Sequence, residues 1–509
     1  MKVNKFLLAG VAVLGLGMTA CNDDDVPPVG NPAEGSTFAG MYISTMKDVM
    51  TKGVNDSQGD YAGREAESGL ETLRFISPGQ TKDWTKGTAD GEDKFWETTV
   101  NGTYTVAPWK VTAGSQAMAL LFNRGSLEPG IATATNYVYG STATAVDDIT
   151  ALATENKFVM ASSVEQKTIQ DNISKETVKT GTGETQNVFS FDMERVVSQG
   201  MVAKGDNLDA ETADGRGSVD FDDLKYTAIN GAAKTYLFRN HAGERTIKES
   251  DGLYENFTSA IDDYVEFQNA QDPNGTAGEF LIRLGNLLTT QGSQATDLGM
   301  YAAKTVAANA TEAKKVAGIY FLENSVKKEA LTAGNKNYGY YRLPYAKVYT
   351  VYTPKQVWDW DAAQGKLTSK TGVKGQTFYR GEGDGLIYAS KEAAKKSQLS
   401  PGQKSYTYTN GKCAYRALWN RQTADDGKTV VNADARRNNT YLLTITAFQG
   451  LGMPWDPSDP KDPYLPKPDP DPTEPTNPEN PDIEKEETYM RVEAKVLQWN
   501  LVSRDVVLE

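Results

Sequence analysis

The chain has 509 residues, room for two ordinary domains, and a formal charge of −14 that disfavours nucleic acid, whose phosphates need a basic face. With 2 cysteines and 1 histidine it has no disulfide framework and no set of His and Cys ligands for zinc, and no Ser–His–Asp or Cys–His pair assembles around His241. Apolar content is 39%, and tyrosine (25) outnumbers phenylalanine (16), in short Thr/Tyr/Val runs broken by Gly and Asn that point to strands and turns.

The first residues, basic "MKVNK", apolar "FLLAGVAVLGLGM" and small residues before Cys21, read as a signal peptide over 1–20. A cysteine so placed resembles a bacterial lipobox, which makes Cys21 the expected lipidation site. Asn22 to Asp25 resembles the acidic export tag of Bacteroides surface lipoproteins, and residues 22–36 read as a polar tether. With Cys21 lipidated, Cys413 has no intrachain partner and is expected to be a buried small apolar residue.

Strand candidates come in order: "GMYIST" (40–45), "LETLRFIS" (70–77), two strands around Pro108 within 102–123, "NKFVMASS" (156–163), and the run 187–203. Residues 223–239 read as a closing hairpin. One helix is expected at 279–288, with Phe280, Leu284, Leu287 and Leu288 on one face as a core-packing stripe. "GIYFLENS", "YGYYRLPYAKVYTVYT", "QTFYRGEG", "DGLIYASK", "KSYTYTNGKCAYRALWN" and "RNNTYLLTITAF" continue the strand pattern. "GEGDGL" (381–386) is a turn between strands and lacks the strand-to-helix setting of a phosphate loop. The acidic stretch 206–223 lacks EF-hand spacing and reads as a solvated loop. No catalytic residue, metal or cofactor is expected.

This pattern predicts two antiparallel β-sandwich domains in series, with a boundary near residue 240 and few helices. A Pro- and Asp-rich tether comes next. Residues 454–482 hold 11 of the 21 prolines, cannot join a sheet interior, and reach on the order of 90 Å at about 3.1 Å per residue. Beyond it lies an apolar strand. Met490, Val492, Ala494 and Val496 share one face; Leu497, Trp499 and Leu501 take the opposite parity, and Val506 and Leu508 resume the first. Such a phase change suits a strand that bends or bulges across a sheet.

Several dispersed stretches, "APWKVTAGSQAMALLFN", "NKFVMAS", "AGIYFLENS", "GQTFYRGEGDG", "YTNGKCAYRALWN", "RRNNTYLLTITAFQGLGMPWDP" and "EETYMRVEAKVLQWN", resemble fimbrillins of the Bacteroides–Porphyromonas type V pili. The major, shaft subunit of the short fimbriae is the nearest likeness. The resemblance implies two transthyretin-like sandwiches and a structural, non-enzymatic fimbrial subunit serving adhesion and biofilm formation. It further implies export as a lipid-anchored outer-membrane precursor and removal of the first strand by a trypsin-like surface protease specific for Arg or Lys. A C-terminal donor strand then enters the next identical subunit. Anchor and tip subunits, and host or bacterial surface adhesins, are the other implied partners.

On this scheme the chain divides into a signal peptide (1–20), a propeptide with the removable strand (21–52), sandwiches at 53–240 and 241–453, a tether (454–487) and a donor segment (488–509). The cut falls either after Lys52, before Gly53, which the family's spacing favours, or after Arg64, before Glu65, which its arginine preference favours. Two alternatives stay open: an anchor or tip subunit, or a surface lipoprotein that binds glycans on Trp84, Trp96 and Trp360.

Overall fold

A computed structural model describes chiefly residues 37–45, 60–127, 152–229, 304–322, 345–423, 437–454 and 490–499, apart from single residues within these spans, plus a few isolated short stretches. Side chains within 492–499 are not described. The signal peptide, Cys21, Lys52, Gly53, His241, the helix expected at 279–288, most of the tether, and Leu501, Val506 and Leu508 lie outside these residues.

The chain is mainly β. The first strand, β1 (Thr37–Ser44), is followed by a two-residue β2 (Asp60–Tyr61), then β3 (Thr72–Ser77), β4 (Gln80–Lys86), β5 (Lys94–Glu97), β6 (Thr103–Val106), β7 (Trp109–Val111) and β8 (Gly114–Phe122). The two strands expected around Pro108 are thus three. Pro108 cannot donate to a ladder and separates β6 from β7, and Gly114, at φ 119°, starts β8. After β9 (Ser163–Ile169), helix α1 (Lys175–Thr180) and β10 (Val188–Asp192) complete this part of the fold. The main path of the sheet runs β10-β1-β6-β5-β4-β3-β8, with β7 paired to β1 and β9 to β8.

The side chains of β8 alternate as a strand covered on both faces requires. Met118, Leu120 and Phe122 enter one core with Phe75, Trp84, Phe95, Tyr104 and Trp109. Ala117, Ala119 and Leu121 enter a second core that continues through the rest of the chain. Trp84 is a core residue here, edge-on to Trp109 at 5.0 Å, which removes it as a glycan platform. Trp96 and Trp360 are partly exposed.

The second core is built on β11 (Val197–Lys204), β12 (Lys225–Ile229), β13 (Ile319–Leu322), β14 (Tyr345–Pro354), β15 (Lys412–Leu418), β16 (Asn439–Phe448) and β17 (Met490–Trp499). One sheet runs β2-β17-β16-β11-β13, and another contains β12-β14-β15. The hairpin expected over 223–239 does not form. β12 instead pairs antiparallel with β14 and with Lys304–Thr305, while Thr235–Tyr236 pairs with Val138–Tyr139. Sequence shows that both segments favour strand, but long-range burial of Tyr226 and Ala228 chooses the partner. β11 and β12, both before residue 240, pair with strands beyond residue 300, so sheet pairing crosses the expected boundary.

Between β14 and β15 a smaller five-stranded sheet spans 357–408. Its "GEGDGL" turn is organised by Asp384, whose carboxylate accepts from Ser397 Oγ (2.5 Å), Tyr388 Oη (2.6 Å), Gln403 Nε2 (2.7 Å) and the Leu386 amide (2.9 Å). Burial opposes ionisation, yet these donors hold the carboxyl below its ordinary range. Cys413 is fully buried on β15, and burial pushes its thiol up to about 12.

Candidate functional site

β1 begins three residues earlier than the "GMYIST" reading and sits inside its sheet rather than at an edge. Its first half pairs antiparallel with β7 (Thr37 opposite Val111, Ala39 opposite Trp109). Its second half lies between β6, antiparallel, and β10, parallel, with Gly40 to Ser44 in register with Val188 to Asp192. Ala39, Met41 and Ile43 are buried in the first core.

Polar contacts fix the ends of this strand. Thr37 Oγ1 donates to the Gln170 carbonyl (2.8 Å) and accepts from the Ile173 amide (3.1 Å). Asn187, wholly buried and at φ 55°, reaches the carbonyls of Phe38 and Gln170 with Nδ2, 2.9 Å each, and accepts the Gln170 amide at 2.7 Å. Asn tolerates this left-handed backbone better than other side-chain-bearing residues. Its carbonyl receives the Gly40 amide at 2.9 Å, and at the other end Ser44 accepts the Met193 amide at 2.9 Å. Taking β1 away exposes an apolar floor and leaves these buried groups without partners, a costly state. Asn187 escaped the sequence reading; a lone Asn after the polar run "TGTGETQ" signals a turn but not its distant partner.

Over the outer face of β1 lies α1, whose Ser174 cap accepts the Thr177 amide. Val178 is buried, and a Cβ built on Gly40 would meet Val178 Cγ1 at 2.7 Å. Beside it is a cleft of about 370 Å³ lined by Gly40, Tyr42, Glu92, Trp96, Lys175 and Lys179, among others.

The terminal strand, β17, lies in its own chain's sheet. It runs antiparallel to β16 from Met490 opposite Phe448 to Gln498 opposite Asn439. The register shifts between Ile445 and Ala447, opposite Val492 and Arg491, so the extra residue, Thr446, is on the partner strand and not at the Val496–Leu497 phase change. Met490 is buried in the second core. Val492, Ala494, Val496, Leu497 and Trp499 lie within the strand. Among the described residues, the other side of β17 meets only β2, through Asp60 opposite Gln498 and Tyr61 opposite Trp499.

Arg64 and Glu65 follow β2, and Arg64 is tied into a buried hub around Glu67. Arg64 Nε donates to Glu67 Oε1 (2.9 Å) and its amide to Oε2 (2.9 Å), closing a capping box over the short 3-10 turn Glu65–Glu67. Glu67 Oε1 also accepts from Tyr320 Oη (2.6 Å) and Gln199 Nε2 (2.9 Å), while the Glu67 carbonyl accepts from Arg195 Nη2 (3.1 Å). Burial pulls the Arg195 guanidinium down to about 10, against the pull of Glu67. Burial and then Glu67 raise the Tyr320 hydroxyl well above its ordinary range. The hub joins the start of the first region to β11 and β13 of the second.

The site thus joins a central strand, a terminal strand that among the described residues meets little on one side, and a mainly β frame. Residues 406–505 match the family model of the major fimbrial subunit protein (fimbrillin), C-terminal region. Over these residues the chain is thus similar to fimbrillins. Among solved structures, the chain is similar to a fimbrilin of Porphyromonas gingivalis at 14% identity, with 91% of this chain and 99% of that one covered and a TM-score of 0.39. A candidate cell adhesion protein from Parabacteroides distasonis is 14% identical, with 91% and 100% covered and a TM-score of 0.41. The tip fimbrial protein Mfa3 of P. gingivalis is 10% identical, with 91% and 100% covered and a TM-score of 0.31. No curated protein matches the chain.

Proposed function

We propose that the chain is a structural shaft subunit of a cell-surface fimbria, exported as a lipoprotein on Cys21 and polymerised after loss of its first strand. The carrying observation is β1: it is central, its inward side chains are buried, and no covalent tie other than the main chain around 46–59 joins it to the remainder of the sheet. A single cut there converts a closed sheet into an acceptor groove. The tethered segment 488–509 of a neighbour then refills the groove by strand addition.

Lys52 is the preferred cut. A trypsin-like protease draws the residues around the scissile bond into an extended strand, and Arg64 is held by Glu67 and Tyr320 inside a turn. Cutting after Arg64 would also detach β2 and split the Arg64–Glu67 pair. Cutting after Lys52 removes β1 and leaves β2 and the hub with the mature chain.

Electron microscopy of protease-treated protein beside the uncut precursor tests the reading. Fibres are expected only after treatment, and equal fibres from both would sink the activation step. N-terminal sequencing of native fibres is expected to start at Gly53; Glu65 would select the other site, and Cys21 or Asn22 would exclude both.

A further inference from the structure

We propose a direction and register for the incoming strand: it runs opposite to the β1 it replaces, with Ala494 in the seat of Ala39 and Glu493 over Gly40, between Lys175 and Lys179 of the acceptor. This rests on the donor-strand reading above and specifies its contact.

The seats differ in size and surroundings. Inward positions of β1 are Thr37, Ala39, Met41 and Ile43, all buried, so the seat at residue 39 admits little more than a methyl group. In the donor face Met490, Val492, Ala494, Val496 the small residue is Ala494. Placed on Ala39 in the reversed direction, it sends Val492 to the Met41 seat, Met490 to the Ile43 seat and Val496 to the Thr37 seat. With the same direction as β1, Ala494 on Ala39 pushes Gln498 into the apolar seat of Ile43. Matching Thr488 to Thr37 instead drives Met490 onto Ala39.

Charge selects the same answer. The alternate donor residues are Arg491, Glu493 and Lys495. The seat above Gly40 lies in the cleft lined by Lys175 and Lys179. Both same-direction registers just described put a cation there, Lys495 in one and Arg491 in the other. The reversed register puts Glu493 there, where it competes with Glu92 for Lys175 (3.5 Å in the precursor), and carries Arg491 to the seat of Tyr42, which lines the same cleft as Glu92. Like charges set side by side are a strong discriminator between partners.

Position 40 is also a gate. Residues 487–509 contain no glycine, so every donor residue brings a Cβ to a place where one meets Val178 Cγ1 at 2.7 Å. The donor strand therefore shifts Val178 and with it α1, and the ion pairs of Glu493 with Lys175 and Lys179 hold the helix in its new place.

Thiol trapping reads the register directly, because residue 493 seated over Gly40 has its Cβ beside Val178, whose Cγ1 lies 2.7 Å from a Cβ built there, and residues in such contact can be bridged. Cys413 is buried, and Cys21 leaves with the propeptide under the Lys52 cut. Full-length Glu493→Cys/Val178→Cys, cut and assembled, is expected to give a covalent ladder on a non-reducing gel. A ladder from Lys495→Cys or Arg491→Cys with Val178→Cys, and none from position 493, overturns the register while leaving strand donation intact. Fibres without a ladder from any pair overturn this groove as the seat. Fibres from a chain lacking 488–509 overturn strand donation itself. A charge swap needs no cysteine: Glu493→Lys, or Lys175→Glu with Lys179→Glu, should slow fibre growth about tenfold, and the combination should restore it. Equal slowing in the combined variant counts against the pairing.

Discussion

β1 and β17 are both strands of the chain's own sheets, but they are held in opposite ways. β1 pairs with β7 over Thr37–Ala39 and with strands on both sides over Tyr42–Ser44, is anchored by Thr37 and Asn187 and is roofed by α1. β17 is fully paired with β16 on one side, and on the other meets, among the described residues, only two residues of β2. On the proposed scheme the first is lost when the chain is cut, and the second, paired along one side, leaves its own sheet for a neighbour's.

The strongest way to break this contrast is to remove the exchanging strand. Deleting residues 488–509 should abolish fibres while secretion persists, and Trp499→Asp should cripple assembly without unfolding the monomer; microscopy and thermal melts check both. Next is the hub that β2 leads into. Glu67→Ala should cost roughly 3–5 kcal/mol, as expected when a buried charge loses its partner, and should be read in a denaturant titration of cut and uncut protein. Met41→Ala should cost the precursor about 2–5 kcal/mol through a core cavity yet leave the stability of the trimmed fibre unchanged, since β1 is absent there.

Hydrogen exchange sharpens the contrast at smaller cost. Amides of Met41 to Ser44 should exchange far more slowly than those of β17 facing away from β16, and Tyr61→Ala should speed exchange at Gln498 and Trp499. The smallest effect is alkaline. Burial raises the Cys413 thiol to about 12 and also raises the Tyr226 and Tyr415 hydroxyls. A raised acid group keeps its proton in the folded chain, so its stabilisation is whole below the unfolded value and is lost as pH climbs from about 9 toward 12. The melting temperature of the second core, which holds all three groups, should fall over that window, and Cys413→Ala should flatten part of the fall.

Much of the candidate site was legible because it is written in local pattern. The apolar residues of "GMYIST" and the alternation in 490–496 mark strands with one apolar face, and "PWDPSDPKDP" marks a segment that no sheet interior accepts. The hairpin expected over 223–239 failed because strand propensity does not name a partner. Asn187 and Glu67 could not be nominated, since their roles depend on groups more than 100 residues away, as Phe38 is from Asn187 and Gln199 is from Glu67.

By itself, then, the sequence determined that this is a β-rich, acidic chain with one histidine and two cysteines, in which a Pro-rich stretch precedes an apolar, strand-like segment. Periodicity and composition are local properties, and they survive without coordinates. Only the tertiary structure decided that β1 is interior, that β17 meets only β2 on one side among the described residues, and that Gly40 lies under Val178. These are consequences of long-range pairing, where burial and hydrogen bonding across the whole chain choose among strands that look alike one at a time.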